Sequence, residues 1–399
     1  MSRRATRDWL TAAMVLTWGL DPAVRHLNHG SFGAVPTAAL AAQSRYRDLM
    51  EGAPVKWFVG VPQRIREARH RVAPYLGVSG DDLAFVPNAS AGASVVFASL
   101  RAEPGDEVVV TDHGYGAVTM GAQRFARRWG CTVRTAHVPL AADPAEAAHA
   151  ITAQFSERTT LVVVDHVTSP TGRFLPVDLV GAAARDRGIR VLVDGAHVPL
   201  MLAEPLAGLD CDVWVGNLHK FGCAPRGSGV LVARGPVRDE LQPLIDSWGA
   251  GEPFPASFDQ QGTLDFTSWL AAPDALDAVE SEIGWKVVRD DAADLVQRGA
   301  GLVAEAFAEL TGEDHRVDVG TPAVPFRLVR LPGRLGLGQG GPNAVRDRVL
   351  DGFDVEAAFT AFDGEGFVRL SAHAYNTLDD YADFADRVVP ALVRWARDS

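Results

Sequence analysis

An α/β fold built on a mainly parallel sheet is predicted for this chain by two patterns. Short apolar, β-branched runs alternate with helical stretches over residues 83–234, and several runs break off into polar residues at their carboxyl ends. Past Gly284 the texture changes to one long helix and isolated strands, which predicts a smaller α+β unit. We therefore expect a large domain over 22–283 and a small C-terminal domain over 284–399, with residues 1–21 packing as an N-terminal segment.

Residues 1–20 read as a short amphipathic helix. Leu27-Asn-His-Gly-Ser-Phe-Gly33 is a polar loop whose two inner glycines allow close backbone approach, and a helix follows from Thr37 to Glu51. Leu83–Pro87 reads as a strand, and the small residues Asn88-Ala-Ser-Ala-Gly92 open an apolar helix reaching Leu100. A junction of that kind suits a phosphate cradle, or a plain N-cap at Ser90. The alternation continues through strand Glu107–Thr111, a helix to Trp129, strand Thr132–Val138, helix Pro144–Phe155 and strand Thr160–Asp165. Then come helix Val177–Arg187, a strand from Arg190 to Asp194, a strand from Val213 and a strand within Gly227–Arg234. A helix ends near Glu282, and the remaining elements are helix Trp285–Leu310, strands Phe326–Leu331 and Phe367–Leu370, and a closing helix Leu378–Arg397. Gly333–Gly341 reads as a flexible loop, because it is not set in a βαβ unit as a dinucleotide fingerprint would be.

The 399 residues carry a net charge of −12, which argues against nonspecific nucleic-acid binding and against an anionic membrane surface. No apolar run approaches the roughly 20 residues of a membrane span. Cys131, Cys211 and Cys223 form no CxxC pair, and with the odd count a cytoplasmic setting is expected. No metal-ligand motif such as HExxH occurs.

Of the 38 Lys+Arg only Lys56, Lys220 and Lys286 are lysines. Arginine replaces lysine wherever a generic positive charge suffices, but guanidinium stays protonated and makes no amine nucleophile. Lys220 stands just past the strand Val213–Asn217, and Asp194 ends the strand Arg190–Asp194. In an open α/β sheet both would reach the crevice where ligands bind.

Asp194-x-x-His197 with His219-Lys220 resembles the pyridoxal-phosphate site of fold-type I enzymes, in the aminotransferase class V branch. The phrases Leu27–Gly33, Thr111-Asp-His-Gly-Tyr-Gly116, Asp165-His-Val-Thr-Ser-Pro-Thr171, His219-Lys-Phe-Gly-Cys-Ala-Pro225 and Gln261-Gly-Thr-Leu-Asp265 are similar to the isopenicillin N epimerase-like group, which includes cysteine-conjugate C–S lyases. The resemblance runs from Leu27 to Tyr381. It implies pyridoxal 5'-phosphate as cofactor, with Lys220 as Schiff-base lysine and acid/base, and Asp194 pairing with the ring nitrogen. His113 would stack on the ring, with Tyr115 as its rival. Ala89, Ser90, Asn217 and His219 would hold the phosphate. His197 and Ser169 (or Thr168) would contact the phenolic oxygen. Thr263 would reach the neighbouring site of a homodimer. Arg369 matches the arginine that grips the substrate carboxylate, with Asn28 and His29 facing the same group.

Cysteine desulfurases carry a mobile cysteine shortly before that arginine, and none lies between Gly352 and Arg369; Cys223 reads as structural. The resemblance thus implies Cα deprotonation of an amino acid. C–S β-elimination of an S-substituted cysteine in specialised metabolism is preferred, with epimerisation, decarboxylative or oxidative deamination and aminotransfer as alternatives. Side-chain specificity is assigned to Val55–Phe58, Ser247–Pro255 and Gly336–Gly341.

Overall fold

The computed structural model describes residues 16–322 and 324–398. The expected N-terminal helix falls largely outside them; within 16–20 there is no helix, and Trp18 instead forms a β-bridge to Pro36.

In chain order the large unit comprises α1 (Thr37–Gly52), α2 (Pro54–Val72), β1 (Leu83–Val86), α3 (Ala89–Ser99), β2 (Glu107–Thr111), α4 (Gly116–Trp129) and β3 (Thr132–Ala136). It continues through α5 (Pro144–Thr152), β4 (Thr159–Asp165), α6 (Val177–Arg185), β5 (Arg190–Asp194), β6 (Val213–Asn217), β7 (Gly229–Ala233) and α7 (Thr267–Glu282). The sheet order is β1-β7-β6-β5-β4-β2-β3; the five strands from β6 to β3 are parallel, while β7 runs antiparallel to both its neighbours.

The near-continuous apolar strands follow from burial on both faces. Val162, Val164, Val191, Val193 and Trp214 pack into one core layer, and Leu161, Val163, Leu192, Val213 and Val215 into the opposite one. Each fully buried Val or Leu contributes about 1.5–3 kcal/mol, so the register of these strands is strongly specified. That register places Asp165 beside Asp194 at the carboxyl ends of β4 and β5.

The smaller unit holds α8 (Trp285–Thr311), β8 (Phe326–Arg330), α9 (Gly341–Phe353), β9 (Ala358–Phe362), β10 (Glu365–Ser371), α10 (Leu378–Asp383) and α11 (Val389–Arg397), with an antiparallel sheet ordered β9-β10-β8. Its core is not sealed at residue 284. Trp285 and Val288 of α8 pack into the large core, whereas Ala292 onward packs into the small one. The N-terminal chain crosses too: Arg25–His26 pairs with Val355–Glu356, and Leu27 is buried in the small core. The two units are thus fastened by one helix and one strand.

Not read from the sequence were two helices, the strand β9 and the short pair Arg25–His26 with Val355–Glu356. Val55–Phe58, expected as a loop, lies in α2, whose Trp57, Val61, Ile65, Ala68 and Val72 form a buried stripe. Pro62 and Gly60 interrupt that pattern without breaking the helix. Also unforeseen were α9 and β9, which close the small unit over the site.

Candidate active site

One cavity of about 560 Å³ lies at the carboxyl ends of the parallel strands and is roofed by the small unit. Other cavities of similar volume are lined by surface elements away from it. We place the site in the first because the chemistry-bearing side chains converge there. It is lined by Asn28, Ala89, Ser90, Tyr115, Ser169, His197, Asn217, His219, Lys220 and Arg369, ten of the residues picked from sequence.

The floor is electrostatic. Asp194 is buried; one carboxylate oxygen accepts the Ala196 N–H at 3.0 Å and the other, Oδ2, has no partner. Burial raises its pKa, with the Ala196 amide and Lys220 opposing the rise. An orphaned buried carboxylate oxygen is costly, and a ring N–H donor would satisfy it. Asp165, a residue not singled out from sequence, stands alongside in register. It is raised well above the carboxylate range, first by burial and then by the Asp194 charge. The signal was present: both strands end on aspartate.

Lys220 keeps some accessible surface because it lines the cavity. Protein nonetheless surrounds its amine closely enough that burial lowers the pKa to about 8, with Asp194 pulling the other way. Its Nζ lies 3.0 Å from His197 Nε2. Burial, then Lys220, holds His197 well below its usual value, so the ring is neutral and accepts from the amine. The backbone under the lysine is tightly fitted: a Cβ on Gly33 would come within 2.1 Å of the Lys220 carbonyl oxygen. Only glycine allows that approach.

At the opposite end, α3 starts beside the cavity. Its N-cap is Asn88, whose side chain accepts the Ala91 N–H at 2.9 Å, and not Ser90. Ala89 N–H donates to Asn217 Oδ1 at 2.8 Å, and His219 Nδ1 bonds the Ser228 carbonyl at 2.9 Å. This first helical turn, with Ser90 on the cavity wall, suits an anion.

Arg369 is 3% exposed, and no carboxylate lies within ion-pair distance of it among the described residues. Its guanidinium donates to the Ser169 carbonyl and to Ser31 Oγ (3.1 Å), lies 3.5 Å from Asn28 Oδ1, and leaves Nε unpartnered. It stacks 4.6 Å over the Phe326 ring, and burial lowers its pKa to about 10. A buried guanidinium held by neutral groups suits an external carboxylate.

Two expectations need correction. His113 does not line the cavity. Its ring bonds Thr171 Oγ1 (2.8 Å) and the Val138 carbonyl (2.7 Å) and stacks on Phe362, so both nitrogens are spent in the core. Its rival Tyr115 lines the cavity, with Lys220 Nζ 6.0 Å from the ring centroid. His29 does not face the cavity either. Its Nε2 bonds the Lys220 carbonyl at 3.1 Å and its Nδ1 the Tyr375 hydroxyl at 3.1 Å, and its ring stacks on His373 at 4.0 Å. Cys223, fully buried, lies 3.4 Å from His373 Nε2 in the same layer. Those three side chains cluster as metal ligands can, but parallel rings do not aim their in-plane lone pairs at one ion. Of the pair given for the phenolic oxygen, Thr168 bonds Thr171 and Arg173, and Ser169 is the residue on the wall. Thr263 is exposed and away from this cavity.

The family model for class V aminotransferases matches residues 56–322. The chain belongs to the class V aminotransferase family. It is 31% identical to isopenicillin N epimerase of Streptomyces clavuligerus over 96% of this chain and 98% of that one. It is 24% identical to an L-cysteine desulfhydrase of Arabidopsis thaliana over 92% and 87%. Among solved structures, the cystine C–S lyase C-DES in complex with cysteine persulfide superposes with a TM-score of 0.79 at 21% identity, covering 92% of this chain and 98% of that one. Class V enzymes depend on pyridoxal phosphate, and the residues present fit it. The orphaned Asp194 oxygen suits the ring nitrogen, the start of α3 suits the phosphate, and Lys220 suits the aldehyde. No helix among the described residues is long and apolar enough to cross a membrane.

Proposed function

We propose that this class V enzyme is a C–S β-lyase acting on an S-substituted cysteine. The observation that carries the reading is the one-sided supply of general base. The amine of Lys220, backed by neutral His197 at 3.0 Å, lines the cavity, and among the described residues no aspartate, glutamate or cysteine reaches its surface, Asp194 and Asp165 being buried in the floor. The bound cofactor supplies an electron sink for the pair left when the Cα proton departs. Lys220 takes that proton, and Asp194 supports the sink by holding the ring nitrogen protonated. Arg369 fixes the α-carboxylate and so presents Cα–H to Lys220. The Cβ–S bond then breaks, sulfur leaves as a thiolate that takes up a proton, and water releases pyruvate and ammonia. Cys223 has no access to the cavity, which speaks against a persulfide-carrying desulfurase.

Incubation with an S-alkyl-L-cysteine tests the reading: thiol and pyruvate should form in equal amounts. Inversion at Cα in deuterium oxide, with no pyruvate, would overturn it in favour of epimerisation. The relation to isopenicillin N epimerase, and Tyr115 as a further proton donor on the cavity wall, support that second reading.

We also propose a homodimer in which the exposed Thr263 serves the partner's phosphate site. Trp248, 94% exposed, and the neighbouring exposed Leu264 and Ile245 support a covered surface there.

A further inference from the structure

Cavity charge is at odds with chain charge. The protein carries −12, yet three cationic side chains reach the cavity surface, Lys220, Arg369 and Arg346, while the carboxylates of the floor, Asp194 and Asp165, are buried and act on Lys220. The proposed chemistry uses the first two. Arg346 remains.

It stands near the start of α9, and its Nη1 donates to Asn343 Oδ1 at 3.0 Å. Its Nε and Nη2 share one oxygen of Asp347 at 2.9 and 2.7 Å, but Asp347 is not on the cavity wall, and both side chains are about half exposed. An exposed pair between sequence neighbours holds its charges weakly, so a ligand anion competes for the fork. The wall next to Arg346 is β9. In register, Ala358 of β9 opposes Arg369 of β10, so this wall adjoins the carboxylate receptor and lies on the substrate side of the site. Thr360 gives it a hydroxyl that is buried and unpartnered.

We propose that the amino-acid substrate carries a second acidic group at the far end of its side chain, seated against Arg346 and the Thr360 hydroxyl. The inference rests on the reading of Arg369 as the α-carboxylate receptor. It does not rest on the fate of the substrate. An amino acid with one carboxylate would leave the Thr360 hydroxyl without a partner and Arg346 with only its exposed neighbours Asn343 and Asp347.

The test uses cofactor-loaded enzyme and two probes without a leaving group at Cβ, L-2-aminopimelate and the neutral L-2-aminoheptanoate, titrated by the cofactor's absorbance. Wild type should bind the diacid at least about tenfold more tightly, as expected for a charge-assisted hydrogen bond. R346Q should bring the two affinities within about threefold of each other while leaving the neutral probe unchanged, which also serves as the fold control. T360V should weaken the diacid alone. Equal affinity of wild type for both probes, or equal weakening of both by R346Q, would overturn the proposal. Failure of the Arg369 reading shows separately, because R369Q would then bind L-2-aminoheptanoate as wild type does.

Discussion

The two walls of the cavity are built by different means. The inner wall is the edge of a parallel sheet: Asp165, Asp194 and Asn217 each end a strand whose apolar residues are buried on both faces. Their positions are fixed by the whole core. The outer wall is α9 and β9, elements of the small unit whose cavity-facing residues Asn343, Arg346 and Thr360 are accessible or partly so. The first arrangement suits a group that every turnover needs in one place. The second suits a side chain that differs between related enzymes.

If that contrast is right, inner-wall changes should abolish chemistry and outer-wall changes should alter selectivity. The largest effect is expected from D194A, a loss of at least about a hundredfold in kcat because the ring nitrogen loses its partner. Cofactor retention should be measured alongside. D194A turning over near the wild-type rate would break the comparison. R369Q comes next, with kcat/KM falling about 10–100-fold as charge-assisted bonds to the carboxylate disappear. A neutral amide analogue of the substrate should lose its handicap against that variant.

A sharper test separates the two residues of one loop. H113F should cost about 1–3 kcal/mol of stability, because Thr171 and Val138 lose their partner in the core, with kcat little changed. Y115A should do the reverse, leaving thermal unfolding nearly unchanged and lowering kcat about tenfold through loss of ring contact. Denaturant titration and steady-state rates on both variants decide it.

The smallest effect is on pH. Burial lowers Lys220 to about 8, so the free amine gains population as pH rises through that value. Capture of pyridoxal phosphate by apoprotein should quicken roughly tenfold from pH 7 to 9. An ordinary lysine would still be steepening above pH 10.

The same division governs what the sequence disclosed. Asp194, Asn217 and Lys220 were legible because β-branched runs break into polar residues at the sheet's edge, and because lysine is rare in an arginine-rich chain. Which side chain of Asp112-His-Gly-Tyr115 turns inward was not legible. Tertiary partners, Val138 two residues past the next strand and Phe362 from the small unit, withdraw His113. His29 was withdrawn the same way, by Tyr375 and His373 from more than 340 residues along the chain. Helix α2 could have been found from its 4-4-3-4 apolar spacing had Pro62 not argued against it. The outer wall carried no such signal: α9 follows a glycine-rich loop, and β9 is five residues long.

The most direct test uses the scarcity of lysine. Protein incubated with pyridoxal phosphate, reduced with borohydride and digested offers three lysine side chains to modify, and Lys56 and Lys286 are exposed on helices. The account expects the reduced adduct on the peptide containing Lys220, and its loss from that position in D194A under dilute cofactor. Label distributed over Lys56 and Lys286, with Lys220 unmodified, would contradict it.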